Sequence, residues 1–368
     1  MIADASPTEY RMPAEWTPHD STWLSWPHNV ETWPERLDKV EAVMAQAVRS
    51  LLEGEDVDIN VLDSAHGEHV GTIIGHVGEL PHVVHYHEIP TNDAWCRDHG
   101  AVFVTSRTDP SDRLATCWGY NAWGGKWPPY DLDRQVATRM AEAVGVSVLE
   151  LDMVLEGGSI DVDGRGRLMT TASCLLNPNR NPGLSQQEIE GALRSVLGVD
   201  EIIWLEGEIE GDDTDGHIDN LARFVPGGAV LVASERGVPI PAHKGLQENV
   251  DRLREYRFAD GSAPEVIPLP MPRPVYAGRD RLPASYCNFY IGNAAVLLPT
   301  YGCPEDDVVA DILQSRFPNR RIVGLDCRDV VRGLGAIHCL TQQVPGSGFQ
   351  VLGSPNHEER SAIQTARE

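Results

Sequence analysis

Apolar residues recur along this chain with two periods. Over Glu35–Glu53 they fall at Leu37, Val40, Val43, Met44, Ala47, Val48, Leu51 and Leu52, the spacing of one helix face. Leu132–Val144, Ser185–Leu197 and Glu305–Phe317 carry the same pattern, and Ser185–Glu188 (SQQE) has the form of a capping box. Between these stretches lie short apolar runs at Asp58–Leu62, Val83–His87, Ala101–Thr105, Gly228–Ala233, Ala294–Leu298 and Arg321–Leu325, which predict strands. Strands alternating with helices predict an α/β fold. Pro264–Arg273 (PEVIPLPMPR) predicts a connector, too short to divide domains. One domain is expected over residues 1–345. Gly346–Glu368, a GSG followed by a polar, charged end, predicts a loosely ordered tail. Trp16, Trp23, Trp26 and Trp33 are expected to pack the first unit.

Composition narrows the function. Hydrophobic residues make up 41% of 368, enough for a large core, so disorder of the whole chain is excluded. Acidic residues outnumber basic ones by 55 to 30, a net charge of −25. Nucleic acid and anionic membranes are therefore poor partners, whereas a cationic small molecule suits the field. No apolar run approaches 18 residues and the first residues lack a basic start, so neither a spanning segment nor a secretory leader is expected. The seven cysteines are odd in number and include no CxxC pair. That speaks against a disulfide framework or a zinc ribbon, and a reducing cytoplasm is expected. No phosphate-binding glycine fingerprint follows a strand, so nucleotide binding has no support.

Four stretches could carry chemistry. In Gly333–Pro345 (GLGAIHCLTQQVP) a glycine-rich turn leads into an expected strand with Cys339 near its start. A thiol beside open backbone is a candidate nucleophile, and equally a small buried core residue. In Gly211–Asn220 (GDDTDGHIDN), His217 and Asp219 would share one face of an extended strand and could form a proton-transfer pair. A solvated turn, or a cation held by Asp212, Asp213 and Asp215, would read the same way. In Asn92–Gly100 (NDAWCRDHG), Trp95 offers a flat wall near Asp98, a pairing suited to a planar guanidinium. The plainer alternative is an ordinary Arg97–Asp98 ion pair with Trp95 in the core. In Leu155–Ile160 (LEGGSI), Glu156 precedes paired glycines, which fits either a site or a hairpin turn. His82, His85 and His87 lack a matching ligand set and are expected to be structural. From Asp98 the loaded positions Glu156, His217, Asn288 and Cys339 follow at intervals of 58, 61, 71 and 51 residues, which suits about five α/β units around one centre.

Together these segments resemble the agmatine deiminase family, within the guanidino-group-modifying superfamily that includes bacterial peptidylarginine deiminases. The resemblance runs in order through Met12–Pro27, NDAWCRDHG, LEGGSIDVDGRG, DDTDGHIDNLARF, Ser285–Ile291 (SYCNFYI) and IHCLTQQVP, ending at Pro345. It implies a five-bladed α/β propeller with pseudo-fivefold symmetry and the site on its axis. It implies that Cys339 is the nucleophile, His217 and Asp219 the catalytic pair, Asp98 the guanidinium-binding acid and Trp95 the wall beside it. Glu156 and Asn288 would lie at the substrate site. Agmatine would be the substrate, hydrolysed to N-carbamoylputrescine within polyamine metabolism, with no metal and no cofactor; a homo-oligomer is compatible. Two local departures stand beside these motifs. Gly333-Leu334-Gly335-Ala336 replaces the usual GGGG or GGGN, and His99-Gly100-Ala101 replaces Ser or Thr, Gly, Pro. Other guanidino compounds or peptidylarginine, an amidinotransferase, and a non-catalytic acidic cation-binding protein are the alternatives.

Overall fold

The computed structural model describes residues 9–78, 80–207, 209–235 and 245–347. Past residue 347, the expected tail lies outside the described residues. Helix and strand positions follow the apolar pattern closely. Helix Leu37–Leu51 buries Val40, Met44, Ala47, Val48 and Leu51. Helix Gln186–Leu197 starts on the complete capping box of Ser185 and Glu188, and it stops at Gly198 in the left-handed conformation. A side chain at Gly198 would meet the Tyr10 carbonyl oxygen at 2.2 Å, so the stop also requires glycine for space. The strands Ala229–Ser234 and Ala295–Thr300 are buried along nearly their whole length. Strands covered on both faces account for the unbroken apolar runs there.

Among the described residues, one arrangement occurs five times. A strand runs antiparallel to a second, a helix crosses over, and a third strand returns parallel to the second. Val102–Ser106, Arg113–Gly119 and Ser147–Val154 form one such unit around helix Val136–Val144. Asp161–Val162, Arg167–Thr171 and Glu201–Leu205 form the next around Gln186–Leu197. Ala222–Val225, Ala229–Ser234 and Glu265–Pro270 follow with Leu246–Glu255, and Tyr290–Ile291, Ala295–Thr300 and Arg321–Asp326 with Glu305–Arg316. The fifth unit joins the two ends of the fold. The late strand Thr341–Pro345 pairs with His19–Ser25, and Asp56–Val61 returns after helix Leu37–Leu51. Pro264–Arg273 departs from expectation. Its centre is the strand Glu265–Pro270, and prolines are tolerated there because this strand is the outer edge of its sheet. Among the described residues no helix is long and apolar enough to cross a membrane.

Where the units meet, the interior is ionic. The buried Glu15 carboxylate receives Arg223 at 2.9 Å, His338 at 2.8 Å, Arg97 at 3.3 Å and the Ile291 N–H at 2.9 Å. Arg223 also bonds Asp161 and donates to the Phe289 carbonyl at 2.7 Å. Burial alone would push the Glu15 carboxyl up, but Arg223, His338 and Arg97 outweigh it and hold it well below the usual carboxylate range. A depressed carboxylate stabilises the fold above its unfolded pKa, and that contribution is lost as pH falls through the folded value. Glu15→Gln leaves two buried guanidiniums short of an anion and is expected to cost on the order of 3–5 kcal/mol. Urea melts should show this loss at neutral pH and a narrowing gap to the parent below about pH 4.

Candidate active site

Each loaded residue sits just ahead of the first strand of a unit. Asp98 lies in the helical turn Cys96–His99 before Val102–Ser106. Glu156 precedes the turn Gly157–Ser159, ahead of Asp161–Val162. Asp219 lies in the turn Ile218–Asn220 before Ala222–Val225, and Asn288 ends Tyr286–Asn288 before Tyr290–Ile291. Cys339 stands two residues ahead of Thr341–Pro345. The recurrent sequence interval is thus the length of one unit. Two local expectations are corrected. His217 and Asp219 do not alternate along a strand; His217 caps a 3₁₀ turn and Asp219 sits within it, because the strand begins only at Ala222. Cys339 likewise lies in a turn rather than in the strand.

These turns bring their side chains together. Cys339 Sγ is 3.1 Å from Asn288 Nδ2 and 3.6 Å from Asp219 Oδ2. Asn288 Oδ1 accepts the N–H groups of His338 (3.0 Å) and Cys339 (3.3 Å), fixing the turn that presents the thiol. Asp219 Oδ2 bonds His338 Nδ1 at 2.8 Å, and its Oδ1 has no hydrogen-bond partner. Asp98 accepts the Trp123 indole N–H at 2.9 Å and the Gly158 N–H at 3.0 Å, and lies 3.7 Å from His217 Nδ1. Both His217 ring nitrogens are buried and make no hydrogen bond. Glu156 gives one oxygen to Arg180 at 2.6 Å, while its other is unpartnered. A Glu156 oxygen, Cys174 Sγ and a His217 nitrogen fall within 4.8 Å of one another, but Arg180 already supplies a cation at that carboxylate.

Burial pushes the Cys339 thiol well above its ordinary value, and the charges of Asp219 and Asp98 push it the same way. Burial opposes a charge on His217, yet Asp98 and neighbouring anions, Glu156 among them, outweigh it and hold the ring well above the ordinary imidazole range. Burial raises Asp98, with His217 opposing it. Burial would also raise Asp219, but its bond to His338 outweighs this and keeps the carboxyl below its usual range. The resting group is therefore a neutral thiol beside an imidazolium and a firmly charged carboxylate.

A 530 Å³ cavity reaches this group from outside. Trp95, Asp98 and Cys339 line it, with Trp123 and Leu334; Asp219 and Asn288 adjoin Cys339 at 3.6 and 3.1 Å, His217 adjoins Asp98 at 3.7 Å, and Glu156 lies beside His217. Among the described residues, Glu31, Asp93, Asp98, Asp133 and Asp213 make the wall acidic, against one arginine, Arg332, which is paired with Asp329 at 3.4 Å. Arg97 does not pair with Asp98; it is turned away to Glu15 and to Gln343 at 2.8 Å. Of the motif departures only Leu334 lines the cavity, while His99, Ala101 and Ala336 are buried off it. Asp215 is tied to Arg180 and Lys126, so the acidic run is not a free cation loop. Glu15, Arg223, Arg180, Trp123 and His338 were not singled out from sequence. His338 had a signal in its place beside Cys339; the others partner residues tens to hundreds of positions away.

The chain matches the family model of the Porphyromonas-type peptidyl-arginine deiminases over residues 11–345. It is 37% identical to a protein of Legionella pneumophila (strain Paris) named a putative agmatine deiminase, over 94% of this chain and 98% of that one. A solved structure from Porphyromonas gingivalis, described as a putative arginine deiminase, superposes with a TM-score of 0.84 at 35% identity, covering 92% of this chain and 99% of the other. An agmatine deiminase from C. jejuni, a cysteine-to-serine variant with substrate bound, gives 0.82 at 31% identity, covering 92% and 96%.

Gly158 lies where the functional groups converge. A Cβ there would fall 2.6 Å from His217 Nδ1, 2.8 Å from Asp98 Oδ1 and 3.0 Å from Asp219 Oδ2. Gly158→Ala is expected to displace all three and lower kcat by about a hundredfold, since reacting groups tolerate little misplacement. Steady-state kinetics beside a thermal melt checks this. Full activity with an unchanged melt would show that these groups need not hold this geometry.

Proposed function

The chain belongs to the Porphyromonas-type peptidyl-arginine deiminase family, and from that premise we propose that it hydrolyses agmatine to N-carbamoylputrescine and ammonia. The observation that carries this reading is the cavity itself: one acid-walled space reaches Cys339, Asp98 and Trp95 together. The agmatine deiminase names of the Legionella and C. jejuni relatives support the substrate. The five recurrent units support a five-bladed propeller with the site on its axis, each unit lending one turn. A reducing compartment such as the cytoplasm suits its seven free cysteines.

The guanidinium lies against Trp95, gripped by Asp98 and the unpartnered Oδ1 of Asp219 through charge-assisted bonds. Its positive charge offsets the carboxylates that keep the thiol protonated, so Cys339 gives its proton up to bulk water as substrate arrives. The thiolate attacks the central carbon, and the bond to one terminal nitrogen breaks. His217, charged in the resting site, gives that nitrogen its proton, and ammonia leaves. An S-alkylthiouronium remains on Cys339. Water, deprotonated by the now neutral His217, attacks the same carbon; the carbon–sulfur bond breaks and the ureido product departs. Glu156 lies beside His217, and Asn288 holds the thiol and its turn. No step calls for a metal or an organic cofactor.

Two measurements follow. Cys339→Ala should abolish ammonia release with the melt unchanged, because no other group here can carry the intermediate; retention of even about a tenth of the parent rate would remove Cys339 from its role. Agmatine should be preferred to free arginine in kcat/KM, and more so at low salt. Among the described residues the wall offers arginine's carboxylate only Arg332, which is already paired, so that group faces acids and lacks partners. Equal values, or a preference for arginine, would replace the agmatine assignment while leaving the deiminase chemistry standing.

A further inference from the structure

The cavity wall beside the thiol is glycine-rich for a steric reason. A Cβ on Gly333 would lie 2.8 Å from the Trp33 indole, and one on Gly335 would lie 2.4 Å from the Trp95 ring and 3.1 Å from Cys339 Cβ. Neither position has room for a side chain. Leu334, between them, adopts φ 71° and ψ 14°, a left-handed conformation that costs a leucine and is free to glycine. Its N–H caps the preceding turn on the Val331 carbonyl at 3.0 Å, a bond that glycine could make equally well. The strained residue nevertheless places an isobutyl group on the cavity wall, half-buried and packed against the main apolar cluster. A sparsely populated backbone conformation at a cavity is a reason to look for function.

We propose that Leu334 is a specificity-determining residue, whose side chain narrows the cavity beside Cys339 and Trp95 so that a slim, unbranched alkylguanidinium enters and a guanidinium carried on a peptide chain is held back. The inference rests on the deiminase reading above and deepens it. At 530 Å³ the cavity's overall volume does not by itself shut out a bulky substrate, which leaves selection by size to side chains on its wall such as Leu334. Two effects separate the substrate classes. The acidic wall acts on charge, and Leu334 acts on width. An arginine amide blocked at its amino group has no carboxylate to repel, so a change in its handling among Leu334 variants reports width.

The test measures kcat/KM for agmatine and for Nα-benzoyl-arginine amide in the parent and in Leu334→Gly, Leu334→Ala and Leu334→Met. The glycine variant removes bulk and strain together, alanine removes bulk and keeps the strained backbone, and methionine keeps the bulk. The ratio of blocked amide to agmatine should rise at least about tenfold in both the glycine and alanine variants and stay within about twofold in the methionine variant. A ratio within about threefold of the parent in both small variants overturns the proposal, as does a rise in the glycine variant alone, which would assign the effect to the backbone. Calorimetric binding of both compounds to Cys339→Ala, with and without Leu334→Ala, gives the same ratio without turnover. If the parent hydrolyses no guanidinium compound, the deiminase reading fails, while an unchanged binding ratio still overturns the role of Leu334 and a shifted one supports it.

Discussion

The Glu15 carboxylate is buried, and a charge in that position is tolerated only when it is surrounded by partners. Those partners come from different parts of the chain: Arg97 from the turn of Asp98, His338 from the turn of Cys339, and Arg223 from the strand after Asp219. One anion near the N-terminus therefore sets the positions of three turns of the candidate site. The effect continues outward. With His338 Nε2 on Glu15, its Nδ1 holds Asp219 Oδ2, which leaves Asp219 Oδ1 free. The unpartnered atoms of the site are a consequence of a fully engaged layer beneath them.

The same layer explains the resting electrostatics. Anions held close together in a dry centre favour cations and oppose a further anion. His217 is kept charged, and the Cys339 thiol is kept neutral. On this account a guanidinium supplies the missing positive charge, and recognition and activation of the nucleophile become one event. The acids of the cavity wall extend the preference outward, although burial raises Asp93 and Asp213 and pushes Asp133 up to about 7.

Helix Leu37–Leu51 and the strand Ala229–Ser234 were legible because burial imposes a period on local sequence. Asp98, His217 and Cys339 stood out as candidates because the motifs around them resemble a family. Their convergence was not legible, since Asn288 and Cys339 meet across 51 positions and nothing local records that contact. The strand reading of His217 and Asp219 failed because alternation and a 3₁₀ turn both separate groups by two residues. Glu265–Pro270 was hidden because prolines at a sheet edge look like a connector. Glu15 gave no signal, as an isolated acid in sequence says nothing of the two arginines it will meet.

The central claim is that Cys339 bonds to the guanidinium carbon. Rapid acid quenching of the parent enzyme during reaction with agmatine, followed by peptide mapping with mass spectrometry, reads this directly. The quench should catch the mass of agmatine less ammonia on the peptide carrying Cys339. The same mass on Cys96, Cys117, Cys174, Cys287, Cys303 or Cys327, or turnover with no adduct at any quench time, would contradict the account.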